Sequence, residues 1–333
     1  MSEVEVVRGG LVESRHEVHV AVVHADGTLL ASTGDPSRIT YYRSAAKPMQ
    51  ALPLVEEGIA DRFGLSTEEI ALCCASHEGE PAHVEGALSI LAKAEADPDL
   101  LRCGAHAPYS RRAAMDLTRS GQEPRRVHNN CSGKHAGMIA LAVGMGWDPV
   151  DYHLAGHPVQ KRMIEEVVRW SGVPDTRLPK GIDGCGVVCF AAPLEAMARS
   201  FATFTRAAAD EGSGTARIVD AMTSHPFMVG GTGRTCTDVM DVAGKAVFVK
   251  LGAEGVYGGG LRGRDVGFAI KVADGGRRAV EVALIHVVAS LDALTVHAFE
   301  ARTPHGRPTL RNTRDEVVGE VRPAFDLLVH AQA

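Results

Sequence analysis

The sequence predicts an α/β protein in which both chain ends build one antiparallel sheet around a helical insertion. Three observations lead there. β-Branched runs gather near the N-terminus and again in the last third of the chain. The region between them carries helix caps and apolar residues at helical spacing. No repeat, low-complexity segment or long linker separates the two kinds of region. The economical organisation is a single domain over 1–333. Its sheet lobe comes from about 1–40 and 245–333, and its helical lobe from about 44–240.

The elements follow in order. Val4-Glu5-Val6-Val7 and Val18 to Val23 read as strands, and Asp26-Gly27 turns into a third at Thr28-Leu29-Leu30-Ala31. Ser66-Thr67-Glu68-Glu69 is a capping box ahead of an apolar run. Pro81 suits the first turn of a helix carrying Val84, Ala87, Leu88 and Leu91. Ala136 to Val143 is apolar almost all round, which predicts a buried helix. Further helices are expected near 158–170, 191–207 and 214–223. Ala246 to Lys250 and Val266 to Val272 return to strand character. The stripe Val280, Ala283, Leu284, Val287, Val288, Leu291 then predicts a helix laid on the sheet.

Composition narrows the function. The formal net charge is -6, which argues against nucleic acid as the partner. The acidic start Met1 to Glu5 lacks the apolar core of a secretory signal, and no apolar run is long enough for a membrane helix. Seven cysteines, an odd number, point to reduced thiols in a cytoplasm rather than a disulfide framework.

The chemistry begins at Tyr42-Arg43-Ser44-Ala45-Ala46-Lys47-Pro48. On a helix, residues three apart share a face, so Ser44 and Lys47 can meet. A neutral lysine can take a serine proton and make a nucleophile without histidine. Bringing a lysine from about 10.4 to about 7 costs roughly 4–5 kcal/mol, which burial or a second cation must supply. Lys250, closing a strand ahead of the turn Gly252-Ala253-Glu254-Gly255, is a candidate second cation. Ser76, in Cys74-Ala75-Ser76-His77-Glu78, is a candidate second hydroxyl or else a helix cap.

His128 to His135 is the densest polar cluster and runs straight into the buried helix. It is not a nucleotide P-loop: His128 stands where glycine is needed, and His135 where Ser or Thr must follow Lys134. Cys131 and Cys185, the latter in Gly181-Ile182-Asp183-Gly184-Cys185-Gly186, occupy tight turns that suit a thiolate ligand or a small buried residue. No C-x-x-C or H-x-x-x-H pair exists, so spacing alone does not make a zinc site. Gly230-Gly231-Thr232-Gly233 reads as a turn before a helix carrying Cys236 and Met240.

Six blocks in one order resemble the rhizobial-type L-asparaginases, the class 3 or asparaginase II family. They are Arg8 to Ser14, Arg43 to Pro48, Ala75 to Glu80, Asn129 to His135, Gly181 to Gly186 and Lys250 to Val256. The resemblance implies a fold like that of serine β-lactamases and glutaminases. It implies hydrolysis of L-asparagine to L-aspartate and ammonia through a Ser–Lys acyl-enzyme, with Ser44 paired to Lys47 and Ser76 to Lys250. It implies a zinc ion held by Cys131, Lys134 and Cys185, and a homodimer. Leu251 departs from the pattern, since many relatives carry a hydroxyl there. For substrate binding, Arg43 is the candidate partner of the α-carboxylate, Asp183 or Glu254 of the α-ammonium, and Asn130 a further contact. Three alternatives stay open: a glutaminase or β-lactam-recognising enzyme, an amino-acid-binding protein without turnover, and a Cys131 thiol nucleophile.

Overall fold

A computed structural model of the chain describes residues 2–293 and 305–330. The strands are β1 (Glu3–Arg8), β2 (Leu11–His24), β3 (Leu29–Thr33), β4 (Ile39–Tyr41), β5 (Lys180–Ile182), β6 (Val188–Pro193), β7 (Val247–Gly252), β8 (Val256–Leu261), β9 (Val266–Val272), β10 (Thr309–Arg311), β11 (Val317–Ala324) and β12 (Leu328–Val329). The helices are α1 (Lys47–Glu56), α2 (Ile59–Arg62), α3 (Thr67–Cys73), α4 (Pro81–Lys93), α5 (Arg111–Arg119), α6 (Ser132–Gly144), α7 (Pro158–Ser171), α8 (Leu194–Ala207), α9 (Gly214–Ser224), α10 (Pro226–Val229), α11 (Thr235–Ala243) and α12 (Arg277–Ser290). Contacts divide the chain into two compact units.

The sheet unit comprises residues 1–45, 191–206 and 238–333. Its main sheet is antiparallel and runs β10-β11-β1-β2-β9-β8-β7, with β3 pairing both β2 and β12. Both ends of the chain thus build one sheet, as expected. Helix α12 lies against β1, β2, β9 and β11 and buries Val280, Ala283, Leu284, Val287 and Val288. On β7 and β8, α8 packs Phe201 and Phe204 against Phe248 at ring-centroid distances of 5.9 and 6.1 Å. That contact explains why 191–206, expected in the helical lobe, belongs to this unit. The sheet is shaped to receive α8. A side chain at Gly258 would enter the Phe201 ring, one at Gly260 would strike the Thr205 hydroxyl, and one at Gly267 the backbone of Ala202. Residues opposite one another or two apart share a sheet face. The registers Lys250↔Gly258↔Ala269 and Gly252↔Val256↔Lys271↔His19 therefore put Lys250, Lys271 and His19 on the face that carries α8.

The helical unit comprises residues 46–190 and 207–237. Helix α6 is its axis, buried from Ser132 to Ala142 and touched by α1, α2, α3, α4 and α7. Small residues make this possible: a Cβ at Gly137 would sit 2.7 Å from the Cys73 sulfur, and one at Gly144 2.6 Å from Ile59. The Ser66 capping box forms as read, with Glu69 N–H donating to Ser66 Oγ at 3.2 Å and Ser66 N–H to the Glu69 carboxylate at 2.7 Å. Among the described residues no helix is long and apolar enough to cross a membrane.

Candidate active site

The buried site of the helical unit grows from three helix ends, the end of α3 and the starts of α1 and α6. Helix α3 stops at Cys73, and the loop after it is pinned on both sides. Ser76 N–H donates to the Val229 carbonyl at 3.0 Å, and His77 N–H to the Asn130 carbonyl at 3.1 Å. The His77 ring continues the clamp. Its Nδ1 accepts from Gly79 N–H at 3.1 Å, which leaves Nε2 protonated to donate to Ser132 Oγ at 3.0 Å. The ring also stacks on His83, centroids 4.9 Å apart.

Lys47 opens α1 and is 1% exposed. Its Nζ lies 2.5 Å from the Ala75 carbonyl, 2.9 Å from Ser76 Oγ and 3.2 Å from Cys131 Sγ. Three acceptors match the three hydrogens of an ammonium. They equally match an amine that donates to the carbonyl and the sulfur while its lone pair takes the Ser76 proton. The sequence pairs Lys47 with Ser44; in the helical unit its hydroxyl partner is Ser76, 29 residues further on. Lys47 thus joins a serine to a cysteine in a buried pocket.

The cysteine leads to the second half of the cluster. Cys131, Lys134 and Cys185 are each no more than 5% exposed, and Lys134 Nζ lies 2.9 Å from Cys185 Sγ. The two thiols act on one another, each shifting the other's titration. The Cys131 side chain, joined by the Lys134 charge, holds the Cys185 thiol down at about 5 against the opposing effect of burial. The Cys185 side chain and burial push Cys131 up to about 12. Burial lowers Lys134, but Cys185, Cys131 and Asp183 outweigh it and raise its pKa overall. These directions favour the charged form of Cys185 and of Lys134 and the neutral thiol of Cys131. Asp183 stands beside them, its Oδ2 3.8 Å from Cys185 Sγ and its Oδ1 accepting from Gly184 N–H at 2.9 Å. Asn130, adjacent in the chain, takes a hydrogen bond from His77 on its carbonyl and gives its own N–H to His106 Nε2 at 3.1 Å.

Two buried sulfurs and an amine converge as a soft donor set of the kind zinc accepts. The fit requires Cys131 and Lys134 to give up their protons. Among the described residues no three His, Cys, Asp or Glu side chains are grouped to hold a metal, so the third donor here has to be the amine. Cys103 was not read as part of this region. It is fully buried, and burial followed by the sulfurs of Cys131 and Cys185 pushes its thiol up to about 12. Nothing in Cys103-Gly104 signals that neighbourhood.

Arg43, Ser44, Lys250 and Glu254 belong to the sheet unit. Ser44 sits in a 3-10 turn, Arg43–Ala46, that leads directly into α1. Lys250 is fully buried on β7, with Nζ donating to the Leu251 carbonyl at 3.0 Å. Two residues on, a Cβ at Gly252 would lie 2.6 Å from the Tyr42 carbonyl oxygen, so glycine there lets the Ser44 turn approach the strand end. Tyr42 is anchored by its hydroxyl, 2.6 Å from Ser200 Oγ on α8. Arg43 has φ 49° and Glu254 φ 61°. Left-handed backbone at non-glycine residues costs about 1–3 kcal/mol and gathers at functional sites.

Comparison with known protein families defines the class. The model of the L-asparaginase II family matches residues 4–323, nearly the whole chain. The chain belongs to the L-asparaginase II family. No curated protein matches it. Among solved structures, one described as Mglu in its native form in the presence of 4.3 M NaCl is similar over 83% of this chain and 60% of that one. It has 14% identity and a TM-score of 0.36.

Proposed function

We propose that the protein hydrolyses L-asparagine to L-aspartate and ammonia through a serine ester, with a buried lysine as the proton acceptor. Family membership supports the substrate class. The observation that carries the mechanism is the 2.9 Å contact of Lys47 Nζ with Ser76 Oγ inside a pocket where the lysine is 1% exposed. In this reading Lys47, as the free amine, takes the proton of the Ser44 hydroxyl three residues before it, and Ser44 attacks the side-chain amide carbon. Backbone N–H groups receive the oxyanion. The proton passes from Lys47 to the departing nitrogen, with Ser76 as its hydrogen-bonded carrier, and ammonia leaves. Water, deprotonated by the same amine, then cleaves the aspartyl ester. Lys250 is the proposed second amine. Arg43 would pair with the α-carboxylate, and Asp183 or Glu254 with the α-ammonium, beside Asn130.

A second reading acylates Ser76 itself, because that hydroxyl already touches the amine. Cys131, Lys134 and Cys185 would hold zinc, which when bound supplies a fixed positive charge beside the pocket. The proposal includes a serine β-lactamase- or glutaminase-like fold, one catalytic domain and a homodimer. It also includes a cytoplasmic setting, in keeping with seven free cysteines. The test is ammonia release from L-asparagine and L-glutamine by the wild type, Ser44→Ala and Ser76→Ala. Full activity in both variants would end the serine-ester reading, and preference for glutamine would move the substrate.

A further inference from the structure

The sheet unit carries a group of donors that this reaction scheme has not used. His19, on β2, is 2% exposed. Its Nδ1 accepts the Asp35 N–H at 3.0 Å, so the ring proton is on Nε2. That Nε2 is buried without a hydrogen-bond partner, the nearest acid being Glu17 at 3.8 Å. The cross-strand partner of His19 is Lys271 on β9, which places the two side chains on one sheet face. Lys271 is half-buried and donates to the Glu254 carbonyl. Among the described residues neither Lys271 nor the half-buried Arg38 has an ion-pair partner. Arg38 acts electrostatically on both His19 and Lys271, and Arg43 acts on Lys271 too. Of the carboxylates nearby, Asp35 accepts from Ser37 N–H and Oγ and Asp274 from His16 and Gly276 N–H, while Glu254 and Asp274 act electrostatically on Lys271, and Glu17 and Asp35 on His19, without an ion-pair contact to Lys271.

Two half-buried cations that influence one another, with no direct ion pair and an unsatisfied imidazole N–H between the same strands, are better solvated when an anion joins them. The location tells which anion. Lys271 and His19 share a cross-strand row with Val256 and Gly252, and Gly252 is the residue against which the Tyr42 carbonyl lies. The donors therefore face the turn that carries Arg43 and Ser44.

We infer that Arg38, Lys271 and His19 form a carboxylate-binding site of the sheet unit, and that it joins Arg43 in holding the α-carboxylate of the amino-acid substrate. The second half of the inference rests on the asparaginase reading; the first half does not. The same chemistry would hold the carboxylate of a free dicarboxylic amino acid acting as an effector, and the experiment separates the two.

L-Aspartate is titrated calorimetrically into the wild type, Lys271→Met, Arg38→Met and Lys271→Arg. The asparagine KM and kcat are measured on the same samples, and thermal melts check folding. Loss of one charge-assisted hydrogen bond weakens aspartate binding by about tenfold or more in the two Met variants. Lys271→Arg keeps most of the affinity, because it keeps the charge. If the asparagine KM rises in parallel while kcat moves less, the site holds the substrate. If aspartate weakens and KM is unchanged, the site holds a free effector. Wild-type binding absent at millimolar aspartate, or equal binding in all four proteins, overturns the site. Should the wild type release no ammonia from asparagine, the titration alone decides, and failure of the enzyme reading is seen separately.

Discussion

Replacing Lys47 by methionine tests the buried amine most sharply. The side chain touches three acceptors, the Ala75 carbonyl, Ser76 Oγ and Cys131 Sγ, and is buried. Methionine fills a similar volume, so the cavity penalty is small. Two oxygens lose a donor, at about 1–3 kcal/mol each. Removing a buried amine returns several kcal/mol of desolvation, so these effects oppose one another and the net change in stability is about 2 kcal/mol or less. Activity responds differently. A positioned general base contributes about 10²–10⁴ in rate, so kcat/KM falls at least about a hundredfold, ~2.7 kcal/mol of transition-state stabilisation. Lys47→Arg does not rescue it, because a guanidinium stays protonated. The assay is initial-rate ammonia release beside a thermal melt of the same sample. A folded Lys47→Met or Lys47→Arg protein within tenfold of wild type would refute the reasoning.

Other outcomes follow from the same contacts. Burial lowers the pKa of His83 on α4 and of His19 on β2, so as pH falls the unfolded chain takes up these protons first. Stability is then full above about pH 6.5 and declines below it, by up to about 1.4 kcal/mol per pH unit for each histidine. Urea midpoints measured from pH 8 to pH 5.5 check this, and a flat or rising series towards acid contradicts it. Zinc affinity should increase between pH 6.5 and 8, because Cys131, pushed up to about 12, and Lys134, also raised, must lose protons to ligate. Competition with a chelator measures it, and an unchanged affinity would remove these donors. Gly258→Ala drives a methyl into Phe201 and should destabilise by about 1–3 kcal/mol or more, seen as a lowered melting temperature. An unaltered melt would mean that α8 does not lie so close to the sheet.

What the sequence revealed depended on how local the cause was. The Ser66 cap, the apolar α6 and the β-branched β1, β2 and β9 carry their own signals, and all form as read. Strand β8 does not: Tyr257-Gly258-Gly259-Gly260 has no β-branched residue to signal a strand, and its glycines leave the bare surface on which α8 packs. Strand β11, with Gly319 and Pro323, is defined by pairing with β1 more than 300 residues away. Helix α5 buries no residue, and its short apolar face, Ala113, Ala114 and Leu117, is only half-buried. The same division runs through the site. The Ser44–Lys47 spacing was legible, as were the three zinc-donor candidates. The Lys47–Ser76 contact was not, because the chain starts α1 at Lys47 and brings Ser76 back from the end of α3. Nor was the left-handed turn at Arg43, since arginine carries no signal for positive φ.

The central claim is that an alcohol activated by a buried amine carries the acyl group. Mixing enzyme with L-asparagine, quenching in acid within the first turnovers and mapping the peptides by mass tests it directly. The account predicts one aspartyl group on the peptide containing Ser44 or Ser76, absent from Lys47→Met. An aspartyl group on Cys131, or turnover with no acylated residue at all, would contradict it.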